Sequence, residues 1–242
     1  MKQFLCAILI IFSLITSASA SYKDALKLFD AGKYQESLNT IASELKIADD
    51  MTPDSPNYKL RFLAAHNHWK LASYNSAILH FQRCMQIRKD SPDPYIDLAL
   101  MLYDIKKYND SLVYVKKGLE IKQDPMLYYV YGKLAYHYKN YLKAKEFFEK
   151  SISLDPELYV SYNSLGMTFI ELNNYSNAYT AFSAASVMSP GSHEIFNNLG
   201  YSLEKMEKYP DAMKYYEKAL LLQPENNIIQ ANLARVKLMV SK

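Results

Sequence analysis

One residue type returns along this chain at a nearly constant interval. Successive members of the series are 33 or 34 residues apart, at Tyr74, Tyr108, Tyr141, Tyr175 and Tyr209. A fixed period of this length is typical of proteins built from small repeated units, none of which can bury its own apolar face. Such units must stack on one another, so the period predicts a solenoid with a long surface open to partners.

The residues between these tyrosines follow one pattern. Its clearest copy consists of Tyr162, Leu165, Gly166, Phe169, Tyr175, Ala178, Phe182, Ala185 and Pro190. Apolar residues at three- and four-residue spacing on both sides of a polar break predict two amphipathic helices, about Ser161–Leu172 and Tyr175–Met188. We call them the first and second helix of a repeat. Small side chains are expected where the two cross, here Gly166 and Ala178.

This pattern resembles the tetratricopeptide repeat (TPR) family, and the resemblance covers nearly all of the chain after residue 20. It implies an all-α fold, an α-solenoid wound as a right-handed superhelix from about six helix-turn-helix repeats with a C-terminal capping helix. Turn-rich residues 48–56 predict a longer loop between the first two repeats. The capping helix is expected to bury Ile229, Leu233, Val236 and Val240 and to keep a polar outer face. The predicted repeats are about 21–54, 58–91, 92–124, 125–157, 158–191 and 192–225, and the cap covers 226–240.

The first twenty residues do not follow the repeat. Lys2 precedes an apolar run from Phe4 to Ile15, and Ala18-Ser19-Ala20 has the small-x-small form of a signal-peptidase site. The run is shorter than the roughly 20 residues that span a bilayer. This favours export with cleavage after Ala20, to the periplasm or alternatively as a secreted protein, over an uncleaved membrane-anchoring segment. No stable membrane insertion of the mature chain is expected.

Composition argues against several kinds of function. The formal net charge is only +3 and the lysines are scattered, so no nucleic-acid partner is expected. With residues 1–20 removed, Cys84 is the remaining cysteine, and we interpret it as a buried thiol acting as a small hydrophobe, with a reactive thiol as the alternative. The histidines and carboxylates show no metal-ligand or catalytic spacing. We therefore expect no metal, no cofactor and no enzyme activity.

Residues left over after each first helix has packed are candidates for partner binding. Positions three before, one after and four after the small residue lie within roughly 60° of one another around a helix. We call this set the stripe. It consists of Phe62, His66 and Trp69; Ile96, Leu100 and Tyr103; Tyr129, Lys133 and Tyr136; Asn163, Met167 and Ile170; and Asn197, Tyr201 and Glu204.

The stripe changes from aromatic and aliphatic to amide and charged along the chain. Aromatic anchors supply most interface energy, and asparagine amides can bond a peptide backbone. The prediction is a concave groove for a peptide or helix of a protein partner, in a non-catalytic adaptor of the bacterial cell envelope. The alternative is a soluble periplasmic carrier or chaperone-like subunit that shields apolar segments of exported clients or serves a transporter. A third interpretation is that the aromatic residues only pack between neighbouring first helices.

Overall fold

The computed structural model describes residues 21–47 and 56–241, and these residues form helices and no strand. The predicted signal segment lies outside the described residues, as does the predicted loop up to the start of a helix at Pro56. The helices are α1 (21–30), α2 (Tyr34–Ile47), α3 (Pro56–Lys70), α4 (Tyr74–Ile87), α5 (Asp93–Asp104), α6 (Tyr108–Ile121), α7 (Pro125–His137), α8 (Tyr141–Leu154), α9 (Tyr159–Glu171), α10 (Tyr175–Met188), α11 (His193–Lys205), α12 (Tyr209–Leu222) and α13 (Asn227–Val240).

The chain divides into two compact units, Met1–Lys122 and Gln123–Lys242. In unit 1 the described helices α2 to α6 each pack on the next helix in sequence, and a hydrogen bond from Ser37 Oγ to the carbonyl of Ala25 (2.8 Å) joins α1 to α2. In unit 2 the same order runs from α7 to α13, and the first helices α7, α9, α11 and α13 also contact their neighbours. Each unit is thus an all-α segment of an α-solenoid.

The turn inside each repeat is closed by a residue in the left-handed backbone region. Gly32 has φ +75°, and the equivalent residues Ala72, Lys106, Lys139, Asn173 and Glu207 have φ between 56° and 62°. Each stands two residues before a second helix. A left-handed residue just beyond a helix end lets following amides reach the last carbonyls, as from Lys107 N to Leu102 O (2.8 Å).

The helices of a repeat cross closely because the first helix has a small residue there. An added Cβ at Gly166 would lie 2.6 Å from the Phe182 ring, and Gly132 and Gly200 bear the same relation to Phe148 and Tyr216. All three rings are almost completely buried. The predicted crossing at Gly166 is therefore correct, and its contact is an aromatic ring of the second helix.

The last helix closes unit 2 with a polar face. Ile229, Leu233 and Val236 are buried, whereas Val240 is 44% exposed because it lies at the helix end. Gln230, Ala234 and Lys237 are exposed at the positions where α11 buries Phe196, Gly200 and Leu203. Within residues 21–47 and 56–241, no helix combines the length and the apolar character needed to cross a membrane.

Candidate functional site

The stripe on α3 is a cluster of rings at the edge of the unit 1 core. Phe62 stacks on Tyr58 (centroids 5.7 Å apart) and meets Phe81 edge to face (5.9 Å). His66 lies 4.9 Å from Phe62 and stacks on Trp69 at 5.9 Å. Phe62, His66 and Trp69 are all half-buried. These three side chains therefore lie together, with part of each ring left to solvent.

His66 also connects α3 to the next first helix. Its Nε2 lies 3.0 Å from Oδ2 of Asp97 on α5, and both side chains are about three-quarters buried. Phe29 of α1 approaches the same imidazole at 6.3 Å. His66 is thus held between an aromatic ring and a carboxylate, which fixes the orientation of the stripe on α3.

The stripe on α5 is also half-buried, at Ile96, Leu100 and Tyr103. Tyr103 packs edge to face on Tyr108, the first residue of α6, with centroids 5.2 Å apart. That contact lies inside one repeat, between its first helix and the start of its second helix. Trp69, by contrast, packs against the buried cluster that includes Phe81 and Leu98.

In unit 2 the stripe begins with a more polar set on α7. The Lys133 ammonium lies 5.6 Å from the centroid of the Tyr129 ring, within cation–π range. The Tyr136 hydroxyl donates to Oε1 of Glu171 on α9 (3.1 Å), and its ring packs on Tyr141. Tyr136 therefore does connect neighbouring first helices, as the packing interpretation of the aromatic residues expects.

The predicted asparagines are already engaged through their oxygens. Oδ1 of Asn163 accepts from Asn198 Nδ2 (3.4 Å), and Oδ1 of Asn197 accepts from Asn232 Nδ2 (2.9 Å). Both pairs join one first helix to the next, so what these two amides offer to a ligand is mainly their Nδ2 donors. Tyr201 is half-buried beside the Lys205 ammonium, which lies 5.3 Å from its ring centroid.

Glu204, at the end of the stripe on α11, is the centre of a hydrogen-bond network. Arg235 of α13 donates from Nε (2.7 Å) and an Nη (2.9 Å) to its two oxygens, and the Tyr216 hydroxyl donates at 2.7 Å. Burial opposes the charged carboxylate, but the bonds from Arg235 and Tyr216 prevail and lower the pKa of Glu204. Glu204 therefore anchors the cap and is not part of an open binding surface.

Sequence reasoning missed the residues that connect the stripes. Asp97, Asn198 and Asn232 all lie two positions before the small residue of their first helix, and each bonds to a stripe residue of the preceding first helix. A signal was present, because the same position is apolar in other repeats, as at Leu63 and Val130. Phe29, four residues after Ala25, is the counterpart of Trp69 in the first repeat and was also missed.

The remaining candidate groups are structural. Cys84 is buried, and burial raises the pKa of its thiol to about 12, so it is an unreactive small hydrophobe. His68 and His80 stack at 5.4 Å, and burial, followed by His68 and Arg61, lowers the pKa of His80 to about 4. Among the described residues, no three His, Cys, Asp or Glu side chains are grouped to hold a metal ion.

Paired helices that stack on one another in each unit define the class as an α-solenoid. Residues 127–158 and 193–226 match models of the tetratricopeptide repeat. The chain therefore contains tetratricopeptide repeats. No curated protein sequence matches it well enough to count as a relative.

Solved structures share the fold at low identity. PilW, titled a widely conserved type IV pilus biogenesis factor, is 14% identical with a TM-score of 0.74, over 89% of this chain and 98% of its own. A chain of the APC/C hetero-tetramer Cut9-Hcn1 is 14% identical with a TM-score of 0.77, and the match covers 97% of this chain and 46% of that chain. YrrB, titled a TPR protein with an unusual peptide-binding site, is 16% identical with a TM-score of 0.57, and the match covers 71% of this chain and 89% of the YrrB chain.

Proposed function

We propose that the protein is a non-catalytic interaction scaffold that binds a peptide or helix of a partner protein along its stripe. The supporting observation is the set of half-buried apolar rings and side chains on α3 and α5. Phe62 and Trp69 are already held by neighbouring rings, so little side-chain entropy would be lost when a partner covers them. In unit 2 the amide donors of Asn163 and Asn197 and the Lys133 ammonium would supply polar contacts.

We further propose that the protein is exported to the periplasm and serves a cell-envelope assembly. The signal-peptide pattern of residues 1–20 supports export. The fold likeness to PilW, a pilus biogenesis factor by its title, makes an envelope assembly a reasonable class of partner. The mass of the protein recovered from a periplasmic extract tests export, because cleavage after Ala20 leaves a chain beginning at Ser21.

Photo-crosslinking tests the stripe as the binding site. A photoreactive residue at Leu100 should capture one stoichiometric partner from envelope extract, whereas the same residue at Leu142, which is 71% exposed on the second helix α8, should not. Capture of many unrelated clients would favour the carrier function instead. Equal capture at both positions would contradict the site.

A double variant then measures how much two stripe residues contribute to the free energy of partner binding. Trp69→Ala with Tyr103→Ala should weaken binding of the captured partner by about 30-fold or more for each true hot spot, that is about 2 kcal/mol. Tyr138→Ala is the matched control, because this tyrosine is 52% exposed and lies outside the stripe. Circular dichroism of all variants checks the fold. Unchanged affinity in a folded double variant would refute the proposal.

A further inference from the structure

A second candidate site lies in unit 2 on the second helices, away from the stripe. A cavity of about 540 Å³ opens between α10 and α12, within the size range of ligand sites. Its inner wall is apolar, formed by Leu203 and Met206 at the end of α11. Tyr179 of α10 and Tyr215 of α12 line the cavity, and their hydroxyl oxygens lie 3.2 Å apart.

Three lysines surround this cavity, namely Lys208, Lys214 and Lys218. Asp211 is the one carboxylate in the lining, and it pairs with Lys214 (3.0 Å). Lys218 sits over the Phe196 ring at 3.9 Å, and Lys208 forms no ion pair within the described part of the chain. The lining therefore carries a net charge of +2.

The opposite wall cannot neutralise this charge. The α10 sequence YSNAYTAFSAASVM contains no charged residue. The preceding second helix, α8, carries three lysines, of which Lys143 pairs with Glu146 and Lys145 pairs with Glu149. The groove between α10 and α12 thus combines an excess of ammonium groups with an uncharged facing helix.

The tyrosine pair adds a directed hydrogen-bond donor. When two hydroxyl groups hydrogen-bond to each other, one donates and the other accepts, so the O–H of the accepting group is left to donate to a third group. The bond with Tyr179, followed by burial, raises the pKa of Tyr215 to about 12, so its hydroxyl stays protonated at physiological pH. An anion placed between the lysines would meet an O–H donor as well as ammonium groups, and charge-assisted bonds of this kind are stronger than neutral ones.

We propose that this cavity binds an acidic segment of a partner protein, with a glutamate or aspartate carboxylate at Lys208, Lys218 and the tyrosine pair and an apolar side chain against Leu203 and Met206. Charge complementarity identifies the carboxylate, and the apolar wall favours a peptide over a free anion. The site uses second helices and is independent of the proposed function of the stripe, so either can fail without the other.

Short labelled peptides test this with the full chain. The probe is Glu-Glu-Leu-Glu-Glu, its uncharged control is Gln-Gln-Leu-Gln-Gln, and fluorescence anisotropy measures binding. The Lys208→Gln/Lys218→Gln double variant should reduce the affinity for the acidic peptide about tenfold or more. The Lys143→Gln/Lys145→Gln double variant removes the same charge from α8 and should change affinity less than about twofold.

Removing the two tyrosine hydroxyl groups distinguishes a specific binding site from general electrostatic attraction to the lysines. Tyr179→Phe/Tyr215→Phe keeps both rings and the net charge, and it should weaken peptide binding about three- to fivefold. The proposal would be overturned if the acidic peptide did not bind at about 1 mM. It would also be overturned if the Lys143→Gln/Lys145→Gln and Lys208→Gln/Lys218→Gln variants lost equal affinity for the peptide. Binding to phosphatidylglycerol vesicles or inorganic phosphate without binding to the peptide would also overturn it, in favour of a phosphate ligand.

Discussion

Single residues explain how the helices of a repeat come together. Gly132, Gly166 and Gly200 lie at intervals of 34 residues, and each receives a ring from 16 residues further along the chain. The sequence reveals the glycines because they recur in register and because close helix crossings require small residues. It could not show which aromatic ring fills each of these crossings, since α8, α10 and α12 each carry three rings.

Replacing Gly166 by alanine should destabilise the protein. The new Cβ would lie 2.6 Å from the Phe182 ring, which is fully buried and can shift only by moving its own neighbours. We expect a loss of about 1–3 kcal/mol in the free energy of unfolding, measured by urea denaturation followed by circular dichroism. Gly191→Ala is the control, because nothing lies within 4 Å of its added Cβ. Equal stability of the two variants would show that the crossing is not tightly packed.

The connections between repeats were harder to predict at this scale. The bonds of His66 to Asp97 and of Asn197 to Asn232 depend on the offset between neighbouring first helices, which no local pattern specifies. The helical spacing groups Phe62, His66 and Trp69 on one side of α3 but does not specify the partners that hold them there. The sequence prediction also overestimated how much of each asparagine amide is left for a ligand.

Helix types and most helix bounds follow from periodicity. The predicted second helix Tyr175–Met188 is confirmed, whereas the first helix of that repeat begins at Tyr159 and ends at Glu171, two residues and one residue before the predicted bounds. The left-handed turn residues were not predicted, because Gly32 is the one glycine among them and, apart from Asn173, the others are residue types that seldom adopt positive φ. Packing of the two helices overrides this local preference.

The pairing of α3 with α4 should make stability depend on pH through His80. Burial, His68 and Arg61 hold the pKa of His80 at about 4, below the ordinary 6.5. Between these two pH values the unfolded chain binds a proton that the folded chain does not. The contribution of neutral His80 to the free energy of unfolding is therefore complete above about pH 6.5 and is lost as the pH falls toward 4. From pH 7.5 to pH 5 we expect the free energy of unfolding to fall by about 2 kcal/mol.

The fluorescence of Trp69 on α3 in urea titrations reports this effect, because Trp69 is the only tryptophan in the chain. His80→Phe keeps an aromatic ring on His68 but cannot titrate, so its stability should vary much less over the same pH range. A wild-type protein that is equally stable at pH 7.5 and pH 5 would mean that His80 is protonated in the fold at little cost.

At the scale of the whole molecule, the sequence predicted the fold class but not the division into two units. The tyrosine period is nearly uniform across Lys122 and Gln123, so nothing in it marks a boundary. What distinguishes the units is the continuity of their buried side chains. In unit 2 one cluster extends from Ala144 of α8 to Val236 of α13. In unit 1 the buried side chains fall into smaller clusters, around Ile41, Phe81 and Cys84, of which the last two are joined only through half-buried Phe62.

Unit 1 should therefore unfold at a lower urea concentration than unit 2. In a repeat protein, stability is roughly the sum of intrinsic repeat terms and nearest-neighbour interfaces, so a discontinuous core weakens the coupling between repeats. Trp69 fluorescence reports unit 1 alone, whereas circular dichroism reports both units. We expect the fluorescence transition to come first, and hydrogen exchange followed by mass spectrometry should show α3–α6 exchanging before α9–α12. The variant Phe182→Ala removes a fully buried ring from unit 2 at a cost of about 3–5 kcal/mol and should bring the two transitions together or reverse their order. Coincident transitions in the wild type would mean that the units unfold as one cooperative body, and the difference between their cores would then have no consequence for stability.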